Sequence, residues 1–146
     1  MLLFKKKFID PIRRGEKTQT IRLWDRRRMK PGQRSYIPGI GYIAILLVEP
    51  VELDQLTDDD AVPDGFATAA LLREELQSLY SEKIEQGFIP FRICFSVYPK
   101  QEQQRMREER KRIKHNQNEV RQRETKKKEF VDKTLAKLRH LSGQDS

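Results

Sequence analysis

At 146 residues, with a net charge of +8 and 36% apolar side chains, the chain has room for one small folded domain and an appendage. It holds no apolar run near the ~20 residues that a membrane-spanning helix needs. Its start, Met1-Leu2-Leu3-Phe4-Lys5-Lys6-Lys7, puts charge after the apolar residues rather than before them as a secretory signal does. The single cysteine, Cys94, excludes an intramolecular disulfide and reads as an inert thiol in an apolar strand. A cytoplasmic protein without a membrane segment is therefore expected.

Charge is unevenly spread. Residues 1–48 carry 12 Lys and Arg against 3 Asp and Glu, residues 49–98 carry 3 against 11, and residues 99–146 carry 15 against 8. A basic surface polarised in this way is the electrostatic footprint of a phosphate binder.

Residues 2–8, apolar at Leu2, Phe4 and Phe8, are consistent with a first strand. Asp10-Pro11-Ile12-Arg13-Arg14-Gly15 reads as a short helix with Asp10 as N-cap, Pro11 at the first helical position and Gly15 as the stop. Thr18 to Trp24 is the second strand. Asp25 to Lys30 is a basic loop, Gln33 to Ile37 a short strand, and Tyr42 to Leu53 a long strand with Pro50 as an edge or bulge marker. Leu56 to Ala61 begins with a capping residue and acids, which suit a helix N-terminus, and Pro63-Asp64-Gly65 breaks it. Ala67 to Tyr80 is an amphipathic helix with Leu72, Leu76 and Leu79 on one face. Gly87 to Tyr98 is the last strand. Residues 1–98 thus form a domain, and residues 99–146 a basic extension.

From Lys100 to about Leu141 neither Gly nor Pro occurs, so one long helix is expected, with a partly disordered basic tail as the alternative. Glu108–Arg112, Glu119–Arg123, Glu124–Lys128 and Glu129–Lys133 pair at four-residue spacing, each worth about 0.2–0.5 kcal/mol on an exposed helix. Met106, Ile113 and Val120 repeat every seven residues, but the second seam is polar, too thin for a coiled coil. Val131, Leu135 and Leu138 form an apolar stripe that can meet a protein partner or another copy.

The most informative run is Gly15-Glu16-Lys17-Thr18-Gln19-Thr20-Ile21-Arg22. Strand side chains alternate faces, so Thr18, Thr20 and Arg22 share one face beside Lys17. That row suits an anionic or hydrogen-bond-rich ligand such as RNA or a nucleotide. An ordinary amphipathic strand with a wet polar face is the alternative. No metal or cofactor is expected, because both histidines, His115 and His140, fall in the tail. The same fact argues against a serine-histidine-acid site. Gly39-Ile40-Gly41 lacks the third glycine and the helix of a phosphate loop.

The ordered set of Gly15-x-Lys17-Thr18-x-Thr20-Ile21-Arg22, Lys30-Pro31-Gly32-Gln33, the strand around Ile43 to Val51, Leu56-Thr57, Ala61, Asp64-Gly65-Phe66, Leu72 and Leu76, and Ile93-Cys94-Phe95 resembles an ASCH domain of the PUA-like superfold. The likeness covers about residues 2–97. It implies an α+β fold, a PUA-like mixed β-barrel with two to three packed helices and a cleft on one side. It also implies RNA binding or chemistry on nucleotide-like ligands. Some small bacterial relatives hydrolyse the amide of N4-acetylcytidine through a lysine, a threonine and a later acid. By position these are Lys17, Thr20 and Asp64, although those enzymes carry a glutamate in place of Asp64. Other relatives are linked to RNA cleavage, so a ribonuclease is a further alternative.

Two functions follow. In an RNA-binding protein, Lys17, Thr18, Thr20 and Arg22 line the cleft, and Arg26, Arg27, Arg28, Lys30 and Arg34 extend a phosphate track. Trp24 and Tyr36 then stack bases, with core packing as their alternative. In an amidohydrolase acting on a modified nucleoside, Thr20 is the nucleophile, Lys17 its base and Asp64 an orienting or relaying acid. Composition favours RNA binding, because a basic extension adds affinity for RNA and little for a nucleoside.

Overall fold

The computed structural model describes residues 1–144. They divide into two compact units, Met1–Gln103 and the chain from Gln104 onward. The first unit holds a 3-10 turn at Lys6–Phe8, α1 (Ile9–Arg13), β1 (Gln19–Trp24), β2 (Arg34–Ile37) and β3 (Gly41–Pro50). A second 3-10 turn at Leu53–Gln55, α2 (Asp58–Ala61), α3 (Ala69–Glu85) and β4 (Ile89–Val97) follow. The last helix, α4, spans Lys100–Gln144.

The strands form one antiparallel sheet in the order β1-β4-β3-β2, which with the helices gives the α+β class expected from the sequence. β4 sits between β1 and β3, and its alternation explains why it takes that place. Phe91, Ile93 and Phe95 are buried on one face and join Leu2, Ile12, Ile37, Ile43, Ile45 and Val48 in the larger apolar cluster. A second cluster of Ile21, Leu56, Ala61, Ala69, Leu72 and Leu76 lies under α2 and α3. Burying each such Leu or Ile side chain favours folding by about 1.5–3 kcal/mol.

Three elements differ from expectation. No strand forms over residues 2–8. Leu2 donates one backbone hydrogen bond to Tyr36 O, and the chain then coils through Lys6–Phe8 directly into α1. Leu2, Phe4 and Phe8 pack on the larger cluster as separate anchors rather than as one face of a strand. Phe8, not Asp10, occupies the N-cap of α1; Asp10 lies in its first turn and pairs with Arg13 at 3.3 Å. β3 stops at Pro50, and the expected strand beyond it is replaced by the turn at Leu53–Gln55. Proline has no N–H to offer a ladder, though the next residue, Val51, still donates to Pro90 O.

α2 is held at its start by a capping box, with Thr57 N donating to Asp60 Oδ2 at 2.8 Å and Asp60 N donating to Thr57 Oγ1 at 3.3 Å. α3 is capped by Thr68 and runs past the expected end at Tyr80, where its backbone kinks (φ −129°, ψ 21°).

The first unit extends past the boundary expected at residue 98 for a specific reason. The Gln103 side chain behaves like a strand residue: it donates to Tyr42 O and accepts from Tyr42 N, both at 2.7 Å. Gly41, at φ 122°, leaves room for it, since a Cβ there would lie 2.6 Å from Gln103 Oε1.

The second unit is helix through Gln144, with Ile113, Val120, Val131, Leu135 and Leu138 exposed along it. Among the described residues no helix is long and apolar enough to cross a membrane.

Candidate functional site

Backbone geometry brings the Lys17 segment and the Asp64 turn together. Gly15, at φ 76°, turns the chain out of α1. Lys17 N then donates to Pro11 O, and Thr18 N and Gln19 N both donate to Pro63 O, at 2.9 and 3.1 Å. The entrance to β1 is thereby pinned to the Pro63-Asp64-Gly65 turn, and the side chains of Lys17 and Gln19 fall on Asp64.

The result is a buried polar cluster. Lys17, Gln19 and Asp64 are 2%, 3% and 3% exposed. Lys17 Nζ donates to the Asp64 backbone carbonyl and to Asp64 Oδ1 at 2.9 Å. Gln19 Nε2 donates to Asp64 Oδ2 at 3.2 Å and to Asp60 O at 3.0 Å. The ammonium also sits 4.6 Å from the centre of the Phe8 ring, a favourable cation–π arrangement. Burial pushes Lys17 below its ordinary lysine value, and Arg22 and Lys7 push the same way against the carboxylate of Asp64.

Thr20 and Arg22 follow along β1 on the same cavity. Arg22 Nε donates to Thr20 Oγ1 at 3.1 Å and Nη2 to Leu3 O at 2.6 Å. Its guanidinium lies 4.7 Å from the Phe4 ring centre and bonds with Tyr80 at the kink of α3. Burial lowers the arginine below its ordinary value, opposed by Tyr80 and Asp64.

These groups line a cavity of about 180 Å³ at the seam between the two apolar clusters. Its walls are Phe4, Phe8, Ile21, Phe66, Leu72, Leu76 and Tyr80. Lys5, from the N-terminal segment, reaches Glu75 of α3 at 3.0 Å, and Lys7 reaches the same oxygen at 3.4 Å. Hydrogen bonding from Lys5 holds the Glu75 carboxyl below the usual value.

Of the residues singled out by sequence, Lys17, Thr20, Arg22 and Asp64 therefore share one cavity. Thr18 is exposed and does not line it. Trp24 packs on Phe91 with ring centres 5.5 Å apart, and Tyr36 meets Tyr42 edge-on at 5.3 Å. Arg26, Arg28, Lys30 and Arg34 are exposed. Arg28 pairs with Asp25 at 2.9 Å, and Arg27 donates to Val48 O at 2.7 Å. Arg27, Arg28 and Lys30 border a separate groove.

Gln19, Phe4, Phe8, Phe66 and Tyr80 were not anticipated. A larger cleft of about 550 Å³ carries Glu49, Glu52 and Asp60 around Arg92; its excess of carboxylates repels phosphate. Among the described residues no three His, Cys, Asp or Glu side chains are grouped as a metal site.

No family model and no curated protein matches the chain. Solved structures do. Hypothetical protein PH0355 is 17% identical, with 66% of this chain and 95% of that one covered at a TM-score of 0.57. The ASCH domain from Lactobacillus crispatus JV V101 is 21% identical, with 61% and 69% covered at 0.53. Protein EF3133 from Enterococcus faecalis V583, of the DUF984 family, is 19% identical, with 63% and 67% covered at 0.55. At these identities the likeness is one of fold.

Proposed function

We propose, from the ASCH-type fold as premise, that this protein binds RNA and takes one base of a single strand into the cavity lined by Lys17, Thr20, Arg22 and Asp64. The observation that carries this is a small aromatic-walled cavity with a buried polar floor. At about 180 Å³ it is smaller than the ~300–1,000 Å³ of a typical drug-sized site. It suits a single splayed-out base more than a whole oligonucleotide. Unstacked bases are gripped between aromatic faces and read by hydrogen bonds along their edges. Here Phe4, Phe8 and Phe66 supply the faces. Asp64 supplies acceptors, since an ionised carboxylate has about four lone-pair sites and only part are taken.

Outside the cavity, the exposed Arg26, Arg28, Lys30 and Arg34 offer phosphate contacts, and the basic helix α4 adds more. These act through counterion release and carry no base preference. Trp24 and Tyr36 take their contacts from Phe91 and Tyr42 instead.

The test is binding of a labelled single-stranded RNA to the full chain and to the double variant Lys17→Met/Asp64→Leu, which removes both buried charges together. The variant is expected to bind at least tenfold more weakly at fixed salt. Unchanged affinity would assign RNA contact to the exposed basic residues alone.

A second reading, hydrolysis of the amide of N4-acetylcytidine, is favoured by the lowered Lys17 and by the Thr20 hydroxyl on the same cavity. A neutral Lys17 would take the proton of Thr20 as its Oγ1 attacks the acetyl carbonyl. Cytidine would leave with that proton, and water would release acetate from Thr20. Incubation with N4-acetylcytidine should then yield cytidine, and Thr20→Val should yield none. Absence of cytidine with the unaltered chain would remove this reading.

A further inference from the structure

Among the described residues, the cavity contains an arginine that no carboxylate pairs with directly, Asp64 acting on it without a hydrogen bond. Among the described residues, Lys17 is paired with Asp64, and Lys5 and Lys7 are paired with Glu75. Arg22 has no such partner. Its neighbours are the Thr20 hydroxyl, the Leu3 carbonyl, the Phe4 ring and the Tyr80 side chain. A guanidinium carries five N–H donors in a rigid fork. The bonds to Thr20 and Leu3 use two of them, and even with Tyr80 engaged, donors remain. Buried Lys17 and half-buried Arg22 thus face one buried carboxylate, and Arg22 is the one with spare donors.

Position sharpens the point. Lys17 and Asp64 are almost wholly buried, at the floor. Arg22 is less buried and reaches the carbonyl of Leu3, a residue 63% exposed. Arg22 therefore lies toward the mouth. A base seated on the Asp64 floor would present its sugar and phosphate in that direction. Forked, charge-assisted pairing of arginine with phosphate is among the strongest hydrogen-bonded arrangements available to a side chain.

We propose that the ligand of this cavity is a nucleotide rather than a neutral nucleoside, with Arg22 as the residue that binds its phosphate. This rests on the base-capture reading above. The phosphate can belong to a free mononucleotide or to a strand of RNA, and the two share the chemistry that Arg22 recognises.

The experiment is calorimetric titration of the full chain with the four ribonucleosides, with their 5′- and 3′-monophosphates, and with short single-stranded RNA pentamers. For the base that binds best, one of its monophosphates is expected to bind at least about tenfold tighter than the nucleoside. In Arg22→Gln the monophosphate should lose more affinity than the nucleoside, so that the ratio falls to about one. Arg22→Lys keeps the charge without the fork and should keep part of the ratio, which a collapsed fold would not. A pentamer that binds more tightly and displaces the monophosphate supports RNA as the source. A monophosphate that binds at least as tightly as the pentamer supports a free nucleotide. Equal binding of nucleoside and monophosphates by the unaltered chain would overturn the role of Arg22 and leave base capture standing. No binding of any of these ligands would overturn both.

Discussion

Lys17 and Arg22 stand only a few residues from Arg26, Arg28 and Lys30, yet the two groups obey different physics. The first pair is enclosed by Phe4 and Phe8 and joined to buried partners. The second group is exposed, and the ion pair of Arg28 with Asp25 is open to water. In the enclosed pair, removing one partner leaves the other charge stranded. In the exposed loop, water and salt fill any gap. Residue type alone therefore does not tell which basic residue shapes a site. Enclosure by the neighbouring turn and helix decides it.

The largest effect that follows is on stability. Lys17→Met leaves Asp64 buried without its cation and should cost about 3–5 kcal/mol in denaturant unfolding. Adding Asp64→Leu should recover most of that loss, because an apolar pair of similar volume replaces an ion pair at little net cost. If the single and double variants were equally destabilised, the cluster would not act as a coupled unit.

A steric contrast comes next. Gly41→Ala sets a Cβ against Gln103 Oε1 at a backbone φ of 122° that side chains rarely adopt. A loss on the order of 1–3 kcal/mol is expected, and Gln103→Ala should reduce the penalty of the glycine change. Thermal unfolding of the three variants checks this.

pH separates the enclosed group from the exposed one. Lys17 is lowered by burial from its ordinary 10.5. Between the lowered value and 10.5 the unfolded chain holds more protons, so this group makes stability rise with pH across that window. The stability of the unaltered chain relative to Lys17→Met/Asp64→Leu should therefore increase as pH is raised above neutrality. A flat difference would contradict the enclosure of Lys17.

The smallest expected effects lie at the surface. Glu75→Gln removes the contacts to Lys5 and Lys7 and should cost about 0.2–1 kcal/mol at neutral pH. Because the Glu75 carboxyl is lowered from 4.5, that difference is present above the ordinary value and vanishes as pH falls through the lowered one. Arg26→Ala and Arg28→Ala should leave stability within ~0.5 kcal/mol. In RNA binding each should instead reduce the salt slope by about 0.7 if it contacts a phosphate.

Much of the fold was legible because its signals are local. The alternation of β4, the cap before α2 and the run of α4 without Gly or Pro each depend on residues close in sequence. The N-terminal segment misled because Leu2, Phe4 and Phe8 mimic a strand face while serving as separate anchors on the larger cluster. The alternation rule placed Thr20 and Arg22 together but failed at Thr18, which precedes β1 and gives its N–H to Pro63. The role of Gln19 was not readable, since its partners Asp60 and Asp64 arrive through the tertiary fold. The aromatic walls were hidden for the same reason: a phenylalanine carries no mark of which cavity it will face.

The most direct test of the central claim is a salt series of single-stranded RNA binding by the full chain and by Lys17→Met/Asp64→Leu. The account predicts parallel lines in a plot of log affinity against log salt, with the variant displaced downward at every salt concentration. That pattern means loss of a contact in the cavity with the phosphate contacts intact. Superimposed lines would contradict the account and place all RNA affinity on the exposed basic residues.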